Sequence, residues 1–154
     1  LTRQDLVVNS ANSARGVLAE NILKDVVLAW AIGCTSNSNT ITIVKDGRLL
    51  GNGVGQQDRV GAAKLAIFRA DEATEVARQD LATSVKANLE NAVAYSDSFF
   101  PFPDAVEVLI DRGIKTIFST SGSVNDAKII QSCKAKGVNL IMLPDTEARG
   151  FYQH

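Results

Sequence analysis

The heptapeptides DRGIKTI (111–117) and AKGVNLI (135–141) use one device twice: a helix halts at a glycine and a short apolar strand follows at once. No other feature constrains the fold as much. Read outward from it, AVAY (92–95), KTIFS (115–119) and VNLIML (138–143) are strands, with FPDAVEVLIDRG (102–113) and SVNDAKIIQSCKAKG (123–137) as the helices between them. Asp104 is the expected N-cap of the first helix, with Glu107 completing a D-x-x-E box. Ser123 and Asp126 form the matching box on the second, and Gly113 and Gly137 are the terminators. Short apolar strands joined by single helices pair in parallel, cross over right-handed and are buried on both faces. In sheets of that kind, ligands bind beyond the carboxyl ends of the strands.

Upstream the pattern changes. Leu18, Ile22, Val26 and Trp30 recur every four residues with Leu23 and Val27 beside them, which predicts a helix over 14–32. SNTITIVKDGRLLGNG (38–53) reads as a hairpin turning at Lys45-Asp46-Gly47-Arg48. Asp58 then caps a helix whose apolar face runs through Val60, Ala63, Ile67, Ala70, Thr74 and Ala77. Its alanines imply close packing against a sheet or another helix. A polar helix is expected over 81–89. Residues 1–13 are polar and irregular and read as a linker or severed connection, leaving 14–154 as the folded unit.

Composition removes several function classes. Sixteen Lys and Arg against 17 Asp and Glu leave a net charge of −1, without the basic footprint of a nucleic-acid binder. No apolar run approaches the roughly 18 residues of a membrane span. Cys34 and Cys133 lack metal-ligand spacing, so a reduced, cytoplasmic protein is expected. The only histidine is His154, which limits any His-based triad to the last residue and excludes a His-cluster metal site. The H-x-E and P-C-x-x-C signature of zinc deaminases is absent.

Four stretches invite a functional reading. SDSFFPFPD (96–104) leaves the end of the 92–95 strand, and its three phenylalanines either wall a pocket or plug one end of the core. TSGS (120–123) is either an anion cradle of free backbone N–H groups or a plain turn and cap. GNGVG (51–55) lacks the spacing of the dinucleotide fingerprint, and a strand twist or close backbone approach fits it better. Arg59 opens a helix, where the macrodipole disfavours a cation, so an anionic group is expected nearby.

Taken in order, SNTITIVKDGRLLGNGVGQQDR, SDSFFPFPD, SGSVND and the terminal R-G-F-Y-Q-H resemble one family over about residues 23–154. This is the bifunctional purine-biosynthesis enzyme that joins 5-aminoimidazole-4-carboxamide ribonucleotide (AICAR) transformylase to inosine monophosphate (IMP) cyclohydrolase. The resemblance implies a three-layer α/β domain of the cytidine-deaminase-like fold, without zinc, of which the family carries two copies. This chain matches the second copy. The implied reaction moves a formyl group from 10-formyltetrahydrofolate to the 5-amino group of AICAR, at active sites on a homodimer interface. The family's Lys-His pair for proton transfer lies in the first copy, so this chain alone is expected to be inactive and to need a homodimeric partner or the N-terminal half.

Carried over position by position, Asn39 is the catalytic asparagine that orients the substrate amine and carboxamide, and Arg59 contacts the nucleotide. Phe99 lines the aminoimidazole site, Phe102 lies beside the folate, Asp104 has a folate-side or capping role, and Arg149 meets the nucleotide phosphate. A potassium ion near the tail is also implied. The sequence departs from the family at Ala31, Cys34 and Asn37, where lysines are usual, and at Pro103, often Arg; its tail has one extra residue before the last His. These departures favour an alternative, a non-catalytic nucleotide-binding or dimerisation module of the same fold.

Overall fold

Strands and helices alternate as the repeated helix-to-strand device requires. The computed structural model describes residues 18–78 and 85–149. Helix α1 (Glu20–Gly33) precedes a hairpin of β1 (Ile41–Lys45) and β2 (Arg48–Gly53), then the long helix α2 (Arg59–Ala77). There follow β3 (Val93–Ser96), α3 (Asp104–Asp111), β4 (Thr116–Thr120), α4 (Asp126–Ala135), β5 (Asn139–Leu143) and the short α5 (Asp145–Ala148). The expected linker over 1–13, the start of the helix expected at 14, and 81–84 of the polar helix lie outside the described residues.

The strands form a sheet in the order β2-β1-β3-β4-β5. The last three are parallel, as the sequence requires, and β1 runs antiparallel to both β2 and β3. One face carries Ile41, Ile43, Ala94 and Ile117 against buried residues of α2, α3 and α4. The other carries Val44, Val93, Tyr95, Phe118 and Ile141 against α1 and α5. Helices on both faces of this mixed sheet make a three-layer α/β fold, the layering that the resemblance implies.

The hairpin turns where expected. Asp46 (φ 52°) and Gly47 (φ 70°) both take the left-handed conformation that a tight two-residue turn demands. Asp25 of α1 is buried and accepts hydrogen bonds from the N–H groups of Asp46 (2.9 Å) and Gly47 (2.8 Å), fastening the turn to the helix.

Backbone proximity explains the glycines of GNG. A Cβ on Gly51 would collide with the carbonyl oxygen of Ala66, and one on Gly53 with that of Ala62. Helix α2 therefore lies directly on β2 through Ala62, Ala63, Ala66, Ile67 and Ala70, all buried. The expected face is shifted: Val60 is half-buried and Ala77 exposed, because Gly51 and Gly53 of β2 admit the helix on its smallest residues.

Three local expectations are corrected. Asp104 is not the N-cap of α3. Pro103 holds that position with helical dihedrals (φ −70°, ψ −17°), so the turn starts one residue early. Asp104 Oδ1 accepts only from the adjacent Ala105 N–H (2.8 Å), and the N–H of Glu107 donates to Pro103 O (2.9 Å), so the D-x-x-E box does not form. The second box forms ahead of α4 rather than at its start. Asp126 accepts from the N–H groups of Gly122 (2.8 Å) and Ser123 (3.2 Å), while Ser123 Oγ accepts from Asn125 N–H (3.1 Å). Residues 85–89 are not helical. They form a strap in which Ala87 N–H donates to Asp71 (2.8 Å), Arg112 grips the same carboxylate with two bonds (2.8 and 2.9 Å), and Leu89 is buried.

Gly53→Ala should lower unfolding stability by about 2–3 kcal/mol through overpacking against α2, measured by urea denaturation. The hydrogen bond from Arg112 is the main reason that Asp71 has a pKa below its ordinary 3.8, so its folded-state pKa is depressed. The resulting stabilisation is present above pH 3.8 and fades as pH falls through and below it. Asp71→Asn should accordingly reduce the acid dependence of stability below pH 4 and lower stability at neutral pH.

Candidate functional site

The parallel strands end at one edge of the sheet, and there the chain gathers residues from four distant segments. Asp97, one residue past β3, is almost fully buried. Its Oδ1 accepts from the backbone N–H of Thr40 (2.7 Å), just before β1, and from Nη1 of Arg59, the first residue of α2. The anionic group expected near Arg59 is thus supplied by the chain itself. Asp58 caps α2 by accepting from Gly61 N–H (2.6 Å), which offsets the unfavourable placement of a cation in the first turn.

Asn39 is fixed by a short backbone ladder. Its N–H donates to Gln56 O (3.1 Å), its carbonyl accepts from Gln56 N–H (3.1 Å), and its side-chain Nδ2 donates to Gln56 O (2.8 Å). Asn37 O accepts from Gly55 N–H (3.0 Å) and from Thr40 Oγ1 (2.6 Å). The glycine-rich segment after β2 therefore reaches the same edge and serves as the backing of Asn39.

The phenylalanines of SDSFFPFPD divide between the two readings. Ser96 Oγ donates to Ser98 O (2.7 Å), turning the chain as it leaves β3. Phe100 is 1% exposed and joins the core beneath α2 and α3, so it is the plug. Phe99 is half-buried and lines a cleft. Phe102 is 60% exposed and stands outside that cleft. Asn125 Nδ2 donates to Pro101 O (2.7 Å), bracing the segment from the α4 side.

The cleft has a volume of about 350 Å³, and its walls include Asn39, Arg59, Ser98, Phe99, Pro101 and Arg149. Arg149 follows α5 and shares an ion pair with Asp145 (3.3 Å) at moderate exposure. The end of α5 is held from within the core: Tyr95 is fully buried, packs on Phe118 with ring centroids 5.4 Å apart, and donates its hydroxyl to Ala148 O (2.8 Å). Burial, reinforced by the charge of Asp97, raises the Tyr95 pKa far beyond that of a free phenol, so it remains a neutral donor.

Four of the six expected residues, Asn39, Arg59, Phe99 and Arg149, meet at the cleft. Asp104 and Phe102 are exposed and lie outside its lining. TSGS is a turn and cap, because the N–H groups of Gly122 and Ser123 are occupied by Asp126. The cysteines are free thiols, and burial raises the pKa of both, Cys133 to about 11, so neither is a ready thiolate. Among the described residues no group of three or more His, Cys, Asp and Glu side chains is placed to hold a metal ion. Sequence reasoning missed Asp97 as a separate residue. The available signal was an aspartate at the carboxyl end of a buried strand, facing a helix that opens on arginine.

Fold and cleft together define a three-layer α/β domain with a cleft at the carboxyl edge of its parallel strands. The profile of the AICARFT/IMPCHase bienzyme family matches residues 3–69. Bifunctional purine biosynthesis protein PurH of Mycobacterium ulcerans (strain Agy99) is 36% identical over 146 residues, covering 91% of this chain and 25% of that protein. PurH of Mycobacterium marinum is 38% identical over 120 residues (78% and 20%), and that of Corynebacterium glutamicum (strain R) 36% over 146 (93% and 25%). The chain is similar to this bifunctional purine-biosynthesis enzyme over most of its own length, and it spans about a quarter of the length of the curated relatives it matches. Among solved structures, Acinetobacter baumannii RibD (form 2) aligns with a TM-score of 0.46 at 19% identity, over 79% of this chain and 35% of that one. The dCMP deaminase of cyanophage S-TIM5 aligns with a TM-score of 0.43 at 13% identity, over 80% and 95%.

The two adjacent rings should respond differently to truncation. Phe100→Ala is expected to reduce folding stability by about 3–5 kcal/mol, as for a core ring. Phe99→Ala should cost about 1 kcal/mol or less, as at a partly packed site. Thermal and urea unfolding of the two variants side by side provide the check.

Proposed function

We propose that this chain forms part of an AICAR transformylase site, in which a longer bifunctional protein transfers a formyl group from 10-formyltetrahydrofolate to the 5-amino group of AICAR. The observation that carries the reading is the convergence of Asn39, Arg59, Phe99 and Arg149 on one cleft. An aromatic wall suits a flat heterocycle, an amide suits the polar edge of a base, and a guanidinium suits a phosphate. Asn39 would orient the amine and carboxamide, with its backbone fixed by Gln56. Arg149 is the more exposed of the two arginines and is free to turn from Asp145 to a phosphate. The folate co-substrate would lie towards Phe102 and Asp104.

The reading includes a partner, either a second copy or the N-terminal half, and a cytoplasmic setting. It also includes a potassium ion near the tail. Thr120 Oγ1 and Asp145 Oδ1, near the ends of β4 and β5, are buried oxygens without a protein partner, and oxygen donors suit a hard cation.

A second reading, a nucleotide-binding or dimerisation module without catalysis, is favoured by the absence of Lys, His or Cys among the described residues lining the cleft, where the carboxylate of Asp58 is engaged as the cap of α2. A positioned acid or base typically supplies about 10²–10⁴-fold in rate. The 154-residue chain should therefore bind AICAR, seen by calorimetric titration, yet release no tetrahydrofolate when both substrates are present. Arg149→Ala should weaken AICAR binding by about tenfold, consistent with loss of one charge-assisted contact, with little change in thermal unfolding. Absence of AICAR binding would sink both readings of the site; turnover by the isolated chain would eliminate the second.

A further inference from the structure

We infer that Asp97 is a positioning residue for this site, acting on ligand binding through Arg59. The inference rests on the AICAR reading for its ligand but not for its geometry. Arg59 and Asp97 are 7% and 4% exposed in their side chains, so the guanidinium cannot adjust its direction by sampling solvent. The same carboxylate oxygen accepts from Thr40 N–H (2.7 Å), the residue directly after Asn39. One carboxylate thus fixes two walls of the cleft relative to each other: the Asn39 loop at the entrance to β1 and the arginine at the start of α2.

The ion pair also sets the character of the cleft. Arg59 has its charge balanced within the protein and presents its remaining N–H groups as oriented donors. Arg149, paired only at moderate exposure, keeps the role of a mobile counter-charge. Arginine suits the first task because its planar fork can meet Asp97 with one edge and a ligand with another. The sequence expectation of two arginines on the nucleotide becomes a division of labour, in which Asp97 determines which arginine does which.

Two measurements test this. In nitrogen-15 spectra of the ligand-free chain, Arg59 should give resolved, slowly rotating Nη protons that merge in Asp97→Asn. Averaged Arg59 signals in the unaltered chain would overturn the inference, whatever the chain binds. The second is an AICAR titration of the unaltered chain, Asp97→Asn, Arg59→Gln and the double variant, at a temperature where circular dichroism shows each folded. Asp97→Asn should weaken binding about tenfold when Arg59 is present, and less than about twofold in the Arg59→Gln background. An equal loss in both backgrounds, or lower stability with unchanged affinity, would make Asp97 merely structural. If Asp97→Asn does not fold, the arginine spectrum of the unaltered chain decides. A chain that does not bind AICAR would defeat the substrate reading, and the spectrum would again decide this one.

Discussion

The close approach of β2 and α2 governs much of what lies around it. Two glycines facing two alanine carbonyls bring a strand and a helix together at backbone distance. No side chain intervenes to act as a compliant spacer, so the position of α2 along and across the sheet is set by main-chain contact. The start of α2 carries Arg59, and the segment between β2 and α2 carries Gln56, the partner of Asn39. A packing constraint in the interior therefore fixes the directions of two groups at the edge.

Three buried or half-buried aspartates extend that order into irregular chain. Asp25 holds the hairpin turn, Asp71 holds the strap through Ala87 and Arg112, and Asp97 holds the Thr40 amide and Arg59. In each case a carboxylate satisfies backbone N–H groups that no strand or helix partner reaches. Desolvating such charges is unfavourable, and each is balanced by two or more donors. In each of these segments, donors from separate parts of the chain converge on one carboxylate.

What the sequence made legible follows from how local the signal is. The parallel half of the sheet was readable because helix stops and apolar strands alternate within short stretches around Gly113 and Gly137. The turn at Asp46-Gly47 was readable for the same reason. The misreadings came where distant residues decide the outcome. Nothing near Leu89 reveals that Asp71 and Arg112 will claim its segment. Asp104 looks like a cap until Pro103 is seen to be helical already. The four residues that meet at the cleft were named from the family resemblance, whereas Asp97 could not be singled out, since its partners lie 38 and 57 residues away. The opposed roles of Phe99 and Phe100 were also beyond sequence, because adjacent identical rings give no sign of which one turns inward.

That opposition has a consequence for how this segment can change over evolution. Phe99 and Phe100 have the same chemistry, and only their phase along the chain separates wall from plug. The phase is counted from β3 on one side and from Pro101, held by Asn125, on the other. Substitutions at either ring alter size or polarity in place. Inserting one residue between Ser96 and Phe99 would move Phe99 into the core position and Phe100 out of it, and deleting one there would bring Phe100 to the cleft position and leave the core position to proline. The segment can therefore drift in composition far more readily than in length, and its length is the inherited quantity.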